Sequence, residues 1–184
     1  MKTWVISDTH WNHEAMVELC GRPKNFNQLI VKNWKHLVGE NDLVIHLGDV
    51  IFNRAGELSG IMNQLPGTKV LTLGNHDKRK PEWYMSHGFA LACEQFVYKG
   101  ITFSHYPLSP EDMGFTPLSY RKGIGHSDVP GEVVFEPDPV NIHGHFHNTD
   151  HRNWELDVYE HNKLFSLEKV GYKPVLLEQF IADE

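Results

Sequence analysis

Lys2-Thr3-Trp4-Val5-Ile6-Ser7-Asp8-Thr9-His10 runs from a short apolar stretch into two residues that can bind a metal. Residues 2–7 are rich in β-branched and aromatic side chains and read as a strand that ends at Asp8. The same construction returns twice. Residues 42–47 form an apolar strand ending at Gly48-Asp49, and residues 69–73 one ending at Gly74-Asn75-His76-Asp77. Helical patterns lie between them. From Phe26 the apolar positions Leu29, Ile30, Trp34, Leu37 and Val38 keep helical spacing, and Leu58, Ile61, Met62 and Leu65 fit a second helix closed by Pro66-Gly67. Pro81 opens a short helix with Gly88 just past its end. Residues 96–99, Gly100 and residues 101–104 read as a hairpin leading to His105, and residues 140–142 as a strand running into His143-Gly144-His145-Phe146-His147. The stretch 106–139 holds six of the ten prolines and reads mostly as loop over the strand ends. Strands alternating with helices predict an α/β layered fold with a partly parallel sheet. No repeat, low-complexity run or linker divides the chain, so residues 1–184 are expected to form a single domain.

At 184 residues the chain can bury a core that needs no staples. Its 40% hydrophobic and 22% charged composition is that of a globular protein and excludes wholesale disorder. No apolar run approaches the roughly 20 residues that span a bilayer. The N-terminal residues reach Ser7-Asp8 too soon for a signal peptide's apolar segment, so a cytoplasmic location without a membrane partner is expected. A net charge of −7 argues against an extended surface for duplex nucleic acid. It leaves a small phosphorylated substrate open, because bound metal ions reverse the local field. The two cysteines, Cys20 and Cys93, lack a pairing motif, which excludes a disulfide framework and a cysteine zinc knuckle.

Thirteen histidines are the anomaly of this composition. His36 and His87 fall in amphipathic helical stretches and His151 and His161 in polar segments, so these four are expected at the surface or satisfied in the core. The others cluster in short motifs at strand ends, where layered α/β folds gather their ligands. Asp8 and His10 are separated by one residue, so an extended backbone can turn both toward one ion. His145 and His147 repeat that spacing, and Asp49 follows a glycine at which the chain can turn sharply. Carboxylate and imidazole without thiolate suit manganese, iron, zinc or nickel. A single Asp-x-His at a strand end is ordinarily structural. Five polar elements, each at a separate strand end, are not explained that way.

In order these elements are Asp8-Thr9-His10, Gly48-Asp49, Gly74-Asn75-His76-Asp77, Ser104-His105 and Gly144-His145-Phe146-His147. The series resembles the ordered signature of the calcineurin-like metallophosphoesterase superfamily, with no element missing. The small size and the opening Ser7-Asp8-Thr9-His10-x-x-His13 look like its compact bacterial and phage members. The resemblance implies a layered metallophosphoesterase fold, with central mixed β-sheets flanked by helices, and two divalent metal ions. Manganese is the first choice, with iron, nickel or zinc as alternatives. One ion would be bound by Asp8, His10, Asp49 and His147, the other by Asp49, Asn75, His105 and His145, with Asp49 bridging. Such a pair clamps the attacking and leaving oxygens of an in-line displacement, and a bridging hydroxide is the implied nucleophile. His76 is implied as the catalytic residue outside the metal shell, stabilising the phosphoryl group and protonating the leaving oxygen.

One departure narrows the branch. Protein phosphatases continue the second motif with a further Asp that partners the catalytic His, whereas this chain reads Gly48-Asp49-Val50-Ile51-Phe52-Asn53-Arg54, with Phe52 at that place. The third motif also ends in Asp rather than Glu. A Ser/Thr protein phosphatase is therefore disfavoured, and the sequence leaves open what orients His76. His13 and Arg54 are candidate substrate contacts, the latter because its planar fork suits a phosphate. His143 is expected to be buried beside the ligands, and His126 is a weaker substrate candidate. Trp4, Trp34 and Trp83 are assigned to the core and helix faces. The expected activity is hydrolysis of a small or cyclic-nucleotide-like phosphodiester. A phosphomonoesterase with the same site and a non-catalytic scaffold are the alternatives.

Overall fold

The computed structural model describes residues 1–109, 111–113, 140–148 and 160–182. Most of the expected loop over 106–139, with His126, and also His151 lie outside the described residues. The first sheet begins with parallel strands β1 (Thr3–Ile6), β2 (Leu43–His46), β3 (Thr68–Thr72) and β4 (Leu91–Cys93). The second contains β5 (Gln95–Tyr98), β6 (Ile101–Ser104), β7 (Val140–His143) and β8 (Asn162–Leu164); β5 and β6 form an antiparallel hairpin, and β6, β7 and β8 run parallel. Strand β9 (Val175–Leu176) returns antiparallel to β1, so the orders are β4-β3-β2-β1-β9 and β5-β6-β7-β8. Two mixed sheets flanked by helices are the layered α/β architecture expected above.

Register levels the strand ends. Ile6 lies opposite His46, and His46 opposite Leu71, so the loops opening at Ser7, Leu47 and Leu73 start from the same edge. The first two loops stay paired beyond the strands: Asp8 N–H donates to Gly48 O, His10 N–H to Asp49 O and Trp11 N–H to Val50 O. In the second sheet Phe103 lies opposite Ile142, which levels His105 with the loop at Gly144; there Gly144 N–H donates to His105 O.

The helices are α1 (Met16–Leu19), α2 (Phe26–Leu37), α3 (Leu58–Asn63), α4 (Pro81–Met85) and α5 (Leu177–Ala182). Helix α2 buries Phe26, Ile30 and Trp34, one apolar residue per turn, and the Trp34 indole N–H donates to Pro66 O at 3.0 Å. Pro81 opens α4 where its missing N–H costs nothing. Strand β1 is buried along its whole length, as befits a strand covered on both faces. Its Val5 and Ile6 share one core cluster with Val44 and Leu71 and with Phe103, Ile142 and Phe165 around the second sheet. Trp4 and Trp34 belong to that core, while Trp83 stacks on His87 at a helix face. His36 is exposed, and His161 is buried with its Nε2 2.9 Å from Leu108 O. No described helix is long and apolar enough to cross a membrane.

Candidate metal centre

Backbone conformation, rather than strand pleat, turns the polar side chains inward. Asp8, His10, Asp49, His145 and His147 all have positive φ, between 46° and 76°. The extended backbone expected at Asp8-Thr9-His10 is therefore corrected: both ends of that triplet are left-handed. Asp and His tolerate this region better than most residues, yet each still costs about 1–3 kcal/mol that surrounding contacts must offset. Thr9 turns the other way and bridges His46 and Val50 O through its hydroxyl. Glycines allow the close approach of neighbouring loops. A Cβ on Gly74 would collide with the Asp49 carboxylate, and one on Gly144 with Ser7 Oγ and Asp8 Oδ2.

Two groups of ligand atoms result. Asp8, His10 and His147 form one, and Asp49, His105 and His145 the other, with the atoms of each within 4.8 Å of one another. In the first, His147 Nε2 lies 3.6 Å and His10 Nε2 3.9 Å from Asp8 Oδ1. Asp8 Oδ1 and His10 Nε2 are buried without a hydrogen-bond partner, a burden of about 1–3 kcal/mol each unless a cation relieves it. In the second, His105 Nδ1 lies 2.7 Å from Leu47 O, which can only accept, so the ring proton sits there and Nε2 keeps its lone pair. That lone pair meets Asn75 Oδ1 at 3.0 Å, His145 Nδ1 at 3.2 Å and Asp49 Oδ2 at 3.5 Å. Acceptors crowded together in this way fit a divalent ion of the kind that oxygen and imidazole donors bind. Asp49 Oδ2 is also 3.5 Å from His10 Nε2, so one oxygen faces both groups.

The electrostatics agree with that fit. Burial raises the Asp49 carboxyl to about 7, with His105 opposing and Asp8 adding to the rise. Burial also pushes Asp8 up, but His147, His105 and His10 more than reverse it and hold it below the ordinary carboxylate range. Burial pulls His147 down, while Asp8, Cys20 and Glu168 carry it up to about 10. A cation between Asp8 and His147 would compete with the proton that His147 holds.

His76 belongs to neither group. Its backbone N–H donates to Asp49 Oδ1 at 2.8 Å, and its half-buried ring packs against His10, His13 and Phe52. Phe52, standing where protein phosphatases have their second Asp, meets His76 edge-on at 5.2 Å between ring centroids. Packing replaces the carboxylate partner. Burial, followed by Lys78 and His105, lowers the His76 pKa. His13 lies beside His10, with facing Nδ1 atoms 3.4 Å apart, and stacks on Phe52 at 3.7 Å. Arg54 sits farther out, its side chain 73% exposed and paired with Glu57. His143 is fully buried in β7, with Nδ1 2.9 Å from Gly144 O.

Three supporting residues had no assigned role in the sequence reading. Asp77 Oδ2 accepts from the N–H groups of Asp49 and Gly74, and its Oδ1 from Val50, tying the second and third loops together. Its place in the Gly-Asn-His-Asp motif was the available signal. Arg22, nearly inaccessible, donates to the carbonyls of Asp8 and Thr9 and pairs with Glu168 at 2.7 Å. Glu168 in turn lies 3.1 Å from His147 Nδ1. Cys20 also lies within ligand distance of His147 and Glu168, but the Arg22 guanidinium occupies that side, so this trio supports His147 rather than holding a cation. No local pattern marks Arg22 or Glu168, which are 146 positions apart.

Residues 1–177 match the family described as calcineurin-like phosphoesterase. The chain belongs to the calcineurin-like phosphoesterase family. Among curated relatives of this phosphoesterase, the uncharacterized protein MJ1445 of Methanocaldococcus jannaschii is 29% identical over 190 residues, covering 98% of this chain and 89% of the relative. The gene 66 protein of Mycobacterium phage L5 is 34% identical over 88 residues, covering 43% of this chain and 41% of its own. A crystal structure of the protein of unknown function AQ665 from Aquifex aeolicus superposes with a TM-score of 0.65 at 25% identity, covering 100% of this phosphoesterase and 99% of that chain. Metallophosphoesterases typically bind divalent metals, and the two groups above are the candidate ligands.

Proposed function

We propose that this phosphoesterase hydrolyses a small phosphodiester, of the size of a dinucleotide or cyclic nucleotide, with two divalent ions. Asp8, His10, Asp49 and His147 would hold the first ion, and Asp49, Asn75, His105 and His145 the second. When bound, such ions supply a water that is deprotonated near neutral pH and neutralise charge on the phosphoryl oxygens. His76, outside both ligand groups, donates the proton that the leaving oxygen needs. The observation that carries this reading is Asp49 Oδ2, 3.5 Å from His10 Nε2 on one side and 3.5 Å from His105 Nε2 on the other. Space beside His13 and Phe52 favours a diester, because it leaves room for a second substituent on phosphorus. A monoester would use the same centre. Manganese is the preferred ion, with nickel, iron or zinc also suited to these donors. A cytoplasmic setting accompanies the reading, in keeping with two free cysteines.

The test compares bis(4-nitrophenyl) phosphate with 4-nitrophenyl phosphate on metal-stripped protein. Chelation is expected to abolish turnover and manganese or nickel to restore it, with the diester the better substrate. Full activity in metal-free protein would end the two-ion reading.

Glu168→Gln gives an independent expectation. An outer carboxylate that orients a ligating imidazole is worth roughly 10–100-fold in metal affinity. Calorimetric titration should show that loss for one ion and not for the other. Equal weakening of both would show that Glu168 has no special link to His147.

A further inference from the structure

A cavity of about 910 Å³ opens beside the centre, between the 52–54 loop and the segment running from Asn12 through α1 to the start of α2. Its wall includes His13 and Phe52, which pack on His76 together with His10, so it begins where the leaving group of the proposed reaction departs. Its volume falls within the range of small-ligand pockets. Phe52 is stacked by His13 on one face and is 44% exposed. Four carboxamides line the same space, those of Asn12, Asn27, Gln28 and Asn53. Asn12 and Asn53 are engaged with neighbouring loop atoms and Asn27 with Asn12. The exposed Gln28 amide has no hydrogen-bond partner among the described residues. Lys24 and Arg54 contribute two cations, and Glu14 and Glu18 two anions. The wall therefore carries no charge surplus for a second phosphate.

An exposed aromatic ring, neutral donor–acceptor amides and balanced charge suit an uncharged planar heterocycle. We propose that this cavity receives the base of a nucleoside leaving group, stacked on Phe52 and hydrogen-bonded by Gln28. The inference rests on the phosphodiesterase reading above and extends it to the substrate class. In the reaction, water gives one proton to solvent as its oxygen forms the new bond to phosphorus, the P–O bond to the nucleoside breaks, and the freed hydroxyl takes its proton from His76, which regains one from solvent. The other substituent stays on the phosphomonoester product.

The test measures equilibrium binding of adenosine and of ribose to the manganese-loaded protein by calorimetry, beside turnover of bis(4-nitrophenyl) phosphate. Adenosine should bind at least about tenfold more tightly than ribose, and Phe52→Ala should weaken adenosine about tenfold or more, the usual worth of base stacking. Gln28→Leu, at an exposed position, should weaken it several-fold and serves if Phe52→Ala does not fold. Ribose binding as well as adenosine, or adenosine affinity unchanged in a folded variant, overturns the nucleoside site. The two readings fail separately. Absent turnover with adenosine still bound removes the activity alone, and turnover without adenosine selectivity removes the cavity assignment alone.

Discussion

His76→Ala is expected to lower turnover by about two to four orders of magnitude while both ions remain bound, because a positioned general acid is usually worth that much. The ring touches the centre only through packing against His10, and what it shares with the ligand set is a backbone hydrogen bond, from its N–H to Asp49 Oδ1, which Ala keeps. Loss of the side chain should therefore spare metal content and melting temperature. The size of the defect should follow the leaving group. Nitrophenolate departs with little protonation and should show a small loss, whereas an alkyl or ribosyl oxide should show the full one. A metal-depleted His76→Ala protein would make the residue a ligand. A uniform loss across leaving groups would instead make it a phosphate-binding group.

Asp49→Ala should empty both ion sites, whereas His10→Ala should chiefly disturb one. The asymmetry follows from the position of Asp49 Oδ2, equidistant at 3.5 Å from a histidine of each group, while His10 is grouped with Asp8 and His147 alone. Metal counting on the purified variants decides it, and activity of Asp49→Ala should fall to that of chelated parent protein. A melting curve of metal-free Asp49→Ala separates loss of the ions from loss of the fold. In metal-free protein, burial raises the Asp49 carboxyl to about 7 from 3.8. Between those pH values the folded chain holds a proton that the unfolded chain has released, so this carboxyl costs the fold stability as pH rises. Removing it relieves that cost above pH 7 but also takes away the acceptor for the His76 N–H and places Ala at a φ of 55°. Two ions retained by Asp49→Ala would show that the shared oxygen is assigned wrongly.

Much of this protein is written locally. The strands that lead into Ser7, Leu47 and Leu73 and the helix from Phe26 follow from apolar period and from Gly and Pro punctuation, which act within a few residues. The order of the polar motifs is likewise legible, because each sits directly after a strand and strand ends are where such loops must lie. The shortest elements were not legible: β8 (Asn162–Leu164) and β9 (Val175–Leu176) are too brief to show a period and exist through the partners they pair with. Tertiary structure alone decided how the motifs converge. The left-handed backbone at Asp8, His10, Asp49, His145 and His147 is unfavourable for each residue by itself and persists through contacts made elsewhere in the chain. The replacement of a carboxylate by Phe52 beside His76, and the Arg22–Glu168 brace behind His147, depend on atoms far apart in sequence. Sequence by itself determined which groups are present and where along the chain they turn. Distance, tautomer and shared oxygen came only with packing, because each is set by a neighbour that no local pattern names.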